Sequence, residues 1–102
     1  MENIYKIVWS DEALSNLKNI LTYLENNWST KEINKFATLL DRQLNRIQNN
    51  PFLFAESESR STIRKSVLTK QVSIYYRVKN KTVELISLFD NRQNPKKLNR
   101  LK

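Results

Sequence analysis

Hydrophobic residues near the start of the chain follow two successive repeats. Residues 4–9 alternate between apolar and polar in the manner of a β-strand, which brings three aromatic or branched side chains to one side: Tyr5, Ile7 and Trp9. The apolar spacing then changes to three and four, which predicts an amphipathic helix over about residues 11–27. Its stripe comprises Ala13, Leu14, Leu17, Ile20, Leu21, Leu24 and Trp28. Ser10 is the expected N-cap, because its hydroxyl can accept a hydrogen bond from an unpaired backbone N–H.

A second helical repeat follows after a short link. The segment Ser29-Thr30-Lys31-Glu32 fits the capping-box pattern, in which Ser29 and Glu32 each satisfy the other's backbone N–H. The stripe that follows contains Ile33, Phe36, Ala37, Leu40, Leu44 and Ile47. Asn49-Asn50-Pro51 should end this helix, because proline cannot continue the backbone hydrogen-bond ladder. With so short a link, the two helices are expected to form an antiparallel hairpin.

The remainder of the chain has the alternation of strands. Residues 52–59 are expected to be a loop, and three alternating runs follow it. The first is weak and comprises Ile63, Lys65 and Val67; the second is clear and comprises Val72, Ile74, Tyr76 and Val78. In the third, Val83, Leu85 and Ser87 lie on one side and Glu84, Ile86 and Leu88 on the other. Lys79-Asn80-Lys81 is the predicted turn between the last two strands.

The predicted element order is β-α-α-β-β-β in one domain spanning residues 1–102. This order indicates an α+β fold in which the helical hairpin packs on one face of a mostly antiparallel four-stranded sheet. The other face of the sheet is left for function.

Aromatic residues are assigned mainly to the core. Tyr75 and Tyr76 lie on opposite faces of one strand, so one of them should be buried with its hydroxyl bonded, and only the other can be functional. The hydrophobic stripes assign Trp9 and Trp28 to core or hairpin packing. For the loop residues Phe52 and Phe54, a core position is favoured over an exposed groove.

Composition excludes several classes of function. Cysteine, histidine and glycine are all absent, which rules out disulfides, thiolate chemistry, the usual zinc sites and glycine-rich phosphate loops. We expect no metal and no cofactor, and any acid–base chemistry would fall to Lys, Arg, Tyr, Asp or Glu. The start of the chain has no basic segment followed by a long apolar stretch, so we expect a cytoplasmic protein without membrane contact.

Charge is distributed unevenly along the chain. Residues 1–59 carry six Lys or Arg and eight Asp or Glu, whereas residues 60–102 carry twelve Lys or Arg and only two acids, Glu84 and Asp90. A segment this basic that also contains most of the strands indicates a surface for phosphates or for an acidic protein. A solvated charged face is the alternative interpretation.

Three segments resemble the RelE/ParE toxin superfamily, and the likeness extends from Tyr5 to Leu98. They are YKIVWSDEALSNLKNILTYL, NRIQNNPFLF and VSIYYRVKNKTVELISLFDNRQNP, which look like the family's first strand and helix, its helix exit, and its last hairpin and tail. The resemblance implies the toxin of a type II toxin–antitoxin pair, held in a hetero-oligomer by a small cognate antitoxin. It implies one of two mechanisms: poisoning of DNA gyrase, or cleavage of mRNA on the ribosome by a metal-independent endonuclease.

The candidate residues come from the basic half of the chain. For a nuclease, the catalytic candidates are Arg64, Lys65, Tyr76, Arg77 and Arg92. For binding of the target, the candidates are Arg60, Arg64, Lys65, Lys70, Arg77, Asn91, Arg92 and Lys96.

The likeness to the ribonuclease members is incomplete at three positions. Ser66 and Ser73 stand where the ribonuclease pattern has cations, and Asp90 stands near a position that is often histidine. These departures favour the gyrase poison, which need not be an enzyme. A plain nucleic-acid-binding module and an inactive toxin remnant that still binds a partner remain as alternatives.

Overall fold

The computed structural model describes residues 5–54 and 62–91. Within them the elements follow the predicted order, with bounds β1 Lys6–Trp9, α1 Asp11–Asn27, α2 Thr30–Asn49, β2 Arg64–Val67, β3 Val72–Lys79 and β4 Thr82–Asp90. The bounds of both helices agree with the predicted positions to within a residue or two. Ser10 directly precedes α1, and Pro51 follows two residues after the end of α2.

The two helix starts are built differently. The Ser10 hydroxyl accepts a 3.0 Å hydrogen bond from the Ala13 backbone N–H and donates to the carbonyl of Ile86 at 2.8 Å, so it caps α1 and also ties it to β4. The predicted capping box of α2 is wrong, because the Ser29 side chain makes no capping hydrogen bond. The Glu32 N–H is instead bonded to the backbone carbonyl of Ser29 at 3.0 Å.

The sheet has the strand order β1-β4-β3-β2. β1 runs parallel to β4, and the other two pairs are antiparallel, which confirms the mostly antiparallel sheet. The predicted turn is present between β3 and β4, where Asn80 has a φ of 58°. Asparagine tolerates this left-handed conformation better than most residues, which makes it suitable for so tight a turn.

A β-bulge interrupts the alternation of β4. Tyr75 pairs with Ser87 and Tyr76 pairs with Leu85, so Ile86 has no register partner on β3. The next core residue of β4 after Leu85 is therefore Leu88, three positions on, and not residue 87. The strict alternation predicted for this strand fails beyond Leu85.

Both helices lie on one face of the sheet and form the core with it. The buried apolar set comprises Ala13, Ile20, Leu24, Phe36, Leu40, Ile47, Val72, Ile74, Tyr76, Val83, Leu85 and Leu88. The predicted helical stripes are confirmed at their centres, where Ala13, Ile20, Leu24, Phe36, Leu40 and Ile47 are buried, but they are wrong at their edges. Leu14 and Trp28 are each 50% exposed, whereas Asn16 and Gln43 are buried.

Hydrogen bonds explain why two polar side chains occupy core positions. The Leu88 N–H donates to the Asn16 side-chain carbonyl at 3.0 Å, next to the bulge. The Gln43 amide donates to the Ser66 hydroxyl, which is also buried. An apolar pattern cannot reveal such pairs, because they depend on which backbone and hydroxyl groups the sheet leaves unbonded.

The aromatic assignments are partly confirmed. Trp9 and Phe54 pack against the core as predicted. Phe52 and Trp28 are not core residues, since they are 56% and 50% exposed, which leaves hairpin packing as the assignment of Trp28. In β2 the weak run is also out of phase, because Ile63 is buried while Lys65 and Val67 are exposed. No helix in the described part of the chain is long and apolar enough to cross a membrane.

Candidate functional site

One side of the sheet faces away from both helices, and we call it the open face. It carries the residues that alternate with the core positions of the strands: Lys6, Val8, Lys65, Val67, Ser73, Tyr75, Arg77, Lys79, Thr82, Glu84, Ser87 and Phe89. Register pairs on adjacent strands point to the same side of a sheet, which groups these residues into rows.

The central row of the open face joins Lys65, Tyr75 and Ser87. Lys65 is exposed, whereas Tyr75 and Ser87 are only 5% and 4% exposed. Burial raises the pKa of the Tyr75 hydroxyl above its ordinary value of 10.0. The Ser87 hydroxyl is the one buried side-chain polar atom without a hydrogen-bond partner in residues 5–54 and 62–91. Lys65 is therefore the member of this row that can contact a ligand, whereas the two hydroxyls are buried.

The next row places Arg77 opposite Glu84. The Arg77 Nε donates to Glu84 Oε1 at 2.8 Å, and both side chains are partly exposed. The carboxylate reduces the positive potential that Arg77 would otherwise offer to a phosphate. Sequence reasoning named Arg77 but missed Glu84 as its partner, although the predicted turn at residues 79–81 already implies this pairing.

Arg64 and Tyr76 lie on the helix side of the sheet and not on the open face. Tyr76 is fully buried, and its hydroxyl donates to the Pro51 carbonyl at 2.7 Å. Burial raises the pKa of Tyr76 to about 12, against a smaller opposing effect of the Arg64 charge. The Arg64 guanidinium donates to the Phe54 carbonyl at 2.7 Å and lies 5.1 Å from the centre of the Phe52 ring.

This arrangement decides between the two tyrosines. Tyr76 belongs to the core with its hydroxyl bonded, and Tyr75 belongs to the open face, as the prediction of opposite faces required. A hydroxyl with a pKa near 12 that already donates to a carbonyl is a poor proton acceptor at neutral pH.

The remaining described candidates lie at the opposite end of β3 from the turn at Asn80. Asn91 follows β4, and its side-chain amide lies 3.4 Å from the Lys70 carbonyl while its backbone N–H bonds the Gln71 carbonyl at 2.9 Å. Lys70 and Asn91 are therefore neighbours, apart from Lys65 and Arg77. Asp90 is buried and pairs with Val72, a core residue, so its carboxylate lies off the open face. Arg60, Arg92 and Lys96 lie outside the described residues.

A groove runs between the two helices. Its volume is about 530 Å³, and its lining is mainly apolar: Leu17, Leu21, Phe36, Ala37, Thr38, Leu40, Asp41 and Leu44. In the described residues, no group of three or more carboxylate, imidazole or thiol side chains lies close enough to hold a metal ion.

Solved structures with the same fold include chains from toxin–antitoxin systems and a free toxin. A chain from the chromosomal ParDE toxin–antitoxin system of P. aeruginosa superposes with a TM-score of 0.72 at 18% identity, covering 87% of this chain and 98% of that one. A chain of the RelBE2 toxin–antitoxin complex of Mycobacterium tuberculosis gives 0.60 at 11% identity, covering 85% and 98%. A mutant of the E. coli toxin RelE in the free state gives 0.60 at 12% identity, covering 97% and 99%. At these identities the likeness establishes the fold.

Comparison of sequences defines the family more narrowly than the fold does. No protein with a curated function matches the sequence significantly. A family model does match: residues 7–95 fit the ParE toxin of the type II toxin–antitoxin system parDE. Because this match spans most of the chain and includes every described helix and strand apart from Lys6, the first residue of β1, the chain belongs to the ParE toxin family.

Proposed function

We propose that this type II toxin acts in the cytoplasm by binding DNA gyrase through its open face, without breaking bonds itself, and that a cognate antitoxin neutralises it. The composition of the open face is the observation that carries the proposal. Its described cations are Lys6, Lys65, Arg77 and Lys79, which are interspersed with exposed Val8 and Val67. Cations among exposed apolar side chains favour association with a protein surface of opposite charge.

Phosphate chemistry is poorly supported on this face. Ser73 lies on the open face where the ribonuclease pattern has a cation, and Arg77 is paired with Glu84. A single missing donor to a developing oxyanion commonly lowers the rate about 10² to 10³-fold. Loss of one cation and partial neutralisation of a second therefore argue against efficient RNA cleavage.

Proton transfer is equally poorly supported. Cleavage through a 2′-hydroxyl needs a general base and a general acid with pKa values near the working pH. Both tyrosines near the sheet centre have pKa values shifted upward, away from neutrality, by burial. As neutral, buried hydroxyls they are poor bases, and the Tyr76 hydroxyl already donates to the Pro51 carbonyl.

The groove between α1 and α2 supports the proposed antitoxin partner. Its apolar lining, interrupted by Asp41 and Thr38, suits the apolar face of an amphipathic helix. A helix bound there would cover the partly exposed side chains of Leu17, Leu21 and Leu44. We assign this groove to a helix of the antitoxin, in a toxin–antitoxin hetero-oligomer.

A matched pair of substitutions tests the groove. Ala37 is exposed and lines it, so Ala37→Glu places a carboxylate in the groove without altering the core. Asn45→Glu adds the same acid to the same helix at an exposed position outside the groove lining. In titrations with the protein encoded by the adjacent gene, Ala37→Glu should weaken binding at least tenfold, about 1.4 kcal/mol, while Asn45→Glu leaves it unchanged. Equal affinities would exclude the groove as the antitoxin site.

Two assays in parallel test the target. Purified toxin is added to gyrase and supercoiled or relaxed DNA, and separately to ribosomes programmed with mRNA. The proposal expects loss of gyrase-dependent supercoiling, or accumulation of cleaved DNA, with intact mRNA. Prompt mRNA cleavage with gyrase unaffected would establish the ribonuclease alternative instead.

A further inference from the structure

A continuous row of cations and aromatic rings lies at the end of the molecule where α2 stops. The Lys81 ammonium lies 5.2 Å from the centre of the Tyr5 ring, and Tyr5 meets Phe52 edge to face at 6.3 Å and 82°. The Arg64 guanidinium lies 5.1 Å from the centre of the Phe52 ring. We call Lys81, Tyr5, Phe52 and Arg64 the cation–ring row. Because its members come from four separate parts of the chain, only the folded protein brings them together.

The loop that carries Phe52 is held at several points. The Tyr76 hydroxyl donates to the Pro51 carbonyl, and Arg64 donates to the Phe54 carbonyl, each at 2.7 Å. The Leu53 N–H bonds the Asn50 carbonyl at 3.1 Å. A loop fixed before binding loses little conformational entropy when a partner arrives, which favours affinity.

Two large apolar side chains at the tip of this loop are exposed. Phe52 is 56% exposed and its neighbour Leu53 is 52% exposed, although both are adjacent to the fully buried Pro51. Arg64 and Lys81 flank them in the cation–ring row. An aromatic side chain with an arginine beside it matches the composition of protein–protein interfaces, and the exposed Leu53 enlarges the apolar surface next to it.

The side chains at the tip of this loop indicate which kind of partner would bind there. Phe52 alone could stack on a single-stranded base, whereas Leu53 has no ring for such stacking. Leu53 would instead gain from contact with an apolar side chain, and the exposed Lys81 ammonium would gain from a carboxylate. The net charge of the chain, +8, also favours an acidic partner.

We infer that Phe52 and Leu53, flanked by Arg64 and Lys81, form a docking surface for an acidic polypeptide segment that inserts an apolar side chain. This surface shares no residue with the open face or with the groove between the helices. It is therefore independent of the gyrase proposal and of the antitoxin groove, and its failure would leave both intact.

Three labelled probes test the inference by fluorescence anisotropy with the free protein. The first is a short Glu-rich peptide containing two Leu residues, the second is the same peptide with Ser in place of Leu, and the third is an oligothymidylate of equal charge. We expect the Leu-containing peptide to bind most tightly. Equal affinities for the two peptides would show that only nonspecific charge is recognised. Tighter binding of the oligothymidylate that depends on Phe52 would show that the surface binds nucleic acid. Either result overturns the inference.

Substitutions locate the binding on the protein. Phe52→Ser and Leu53→Ser should each weaken binding of the Leu-containing peptide about tenfold, because each removes an apolar side chain that binding would bury. Lys81→Ala should weaken it by up to about fivefold, whereas Lys18→Ala, which removes an exposed cation from α1, should leave it unchanged. Leu53→Ser disturbs none of the ring contacts, so it separates docking from loop stability. Unchanged affinity in Leu53→Ser with a native thermal transition would overturn the inference.

Discussion

The Tyr76 hydroxyl donates a 2.7 Å hydrogen bond to the carbonyl oxygen of Pro51. Both residues are almost fully buried, and the bond joins the middle of β3 to the segment that ends α2. The carbonyl has no water to replace this donor, so the bond matters more than an exposed one would. Tyr76 is in this way committed to the structure of the fold and is not available to a substrate.

Tyr76→Phe should therefore lower stability and leave toxin action intact. Removing the hydroxyl leaves the Pro51 carbonyl unpaired, which costs about 1 to 3 kcal/mol in the free energy of unfolding. Urea denaturation measures the loss, and the gyrase assay measures activity at a temperature where the variant is folded.

Tyr75→Phe is the matched control, because it removes a hydroxyl from the same strand on the other side of the sheet. We expect it to cost less than Tyr76→Phe. A larger loss in Tyr75→Phe, or loss of activity in folded Tyr76→Phe, would contradict the assignment of Tyr76 to structure and Tyr75 to the open face.

Alkaline pH should destabilise the protein through the same residue. The pKa of Tyr76 is about 12 in the folded chain and near 10.0 when the chain is unfolded and the hydroxyl meets water. Between these values the unfolded state releases a proton that the folded state retains, so stability falls as pH rises through this window and levels off above it. Urea denaturation at several pH values should show this fall. Tyr76→Phe should flatten the curve, and an unchanged slope would contradict the prediction; any remaining slope is expected from Tyr75, whose pKa is also raised.

The sequence was sufficient for element order and for the hairpin of β3 and β4, because each rested on a local signal, whereas the parallel pairing of β1 with β4 was not predicted. Ser10 and Pro51 limit the helices, and Asn80 marks the turn. The details that it missed depend on contacts between distant segments. The bulge at Ile86 changes which side chains of β4 face inward, and no local pattern in residues 82–90 reveals it.

The candidate site was predicted less well than the fold, for a related reason. Charge alone grouped Arg64 with Lys65, but adjacent residues of a strand point to opposite faces, and the structure has Arg64 on the helix side. The pairing of Arg77 with Glu84 could have been derived from the turn, whereas the exposure of Phe52 could not, because the helix-exit loop has no repeat that defines an inward side.

Asn16→Ala should destabilise the fold although alanine is the better helix former. The Leu88 N–H donates to the Asn16 side chain at 3.0 Å, and truncation leaves this buried donor unpaired. The expected cost is about 1 to 3 kcal/mol in the free energy of unfolding. Thermal or urea denaturation measures it, and hydrogen exchange should show faster exchange at Leu88.

Ser15→Ala controls for helix propensity, since Ser15 is the exposed neighbour of Asn16 on α1. It should be neutral or slightly stabilising. Equal stabilities of the two variants would show that the buried hydrogen bond adds nothing beyond propensity.

Arg77 and Glu84 should contribute little to stability despite their short contact. Their side chains are 48% and 36% exposed, and ion pairs in such positions usually contribute about 0.2 to 1 kcal/mol. A double-mutant cycle with Arg77→Ala and Glu84→Ala measures the coupling energy by urea denaturation. A coupling well above this range, or one that is insensitive to added salt, would show that the pair is structural.

The same pairing leads to the last prediction, which concerns the target. Because Glu84 offsets the charge of Arg77, the exposed Lys65 should contribute more to binding of gyrase than Arg77 does. Inhibition of gyrase supercoiling is titrated with wild-type toxin, Lys65→Ala, Arg77→Ala and Glu84→Gln, with Lys18→Ala on α1 as the control for loss of one exposed cation. We expect the concentration for half inhibition to rise about threefold to fivefold in Lys65→Ala, to change less in Arg77→Ala, and to fall in Glu84→Gln, where Arg77 is no longer neutralised.

Arg92→Ala, a candidate from the sequence alone, should also raise the concentration for half inhibition, without producing or abolishing any cleavage of mRNA. If Lys65→Ala and Lys18→Ala inhibit equally well, the open face does not bind gyrase, and if Arg77→Ala alone abolishes activity together with A-site cleavage of mRNA, the toxin is a ribonuclease.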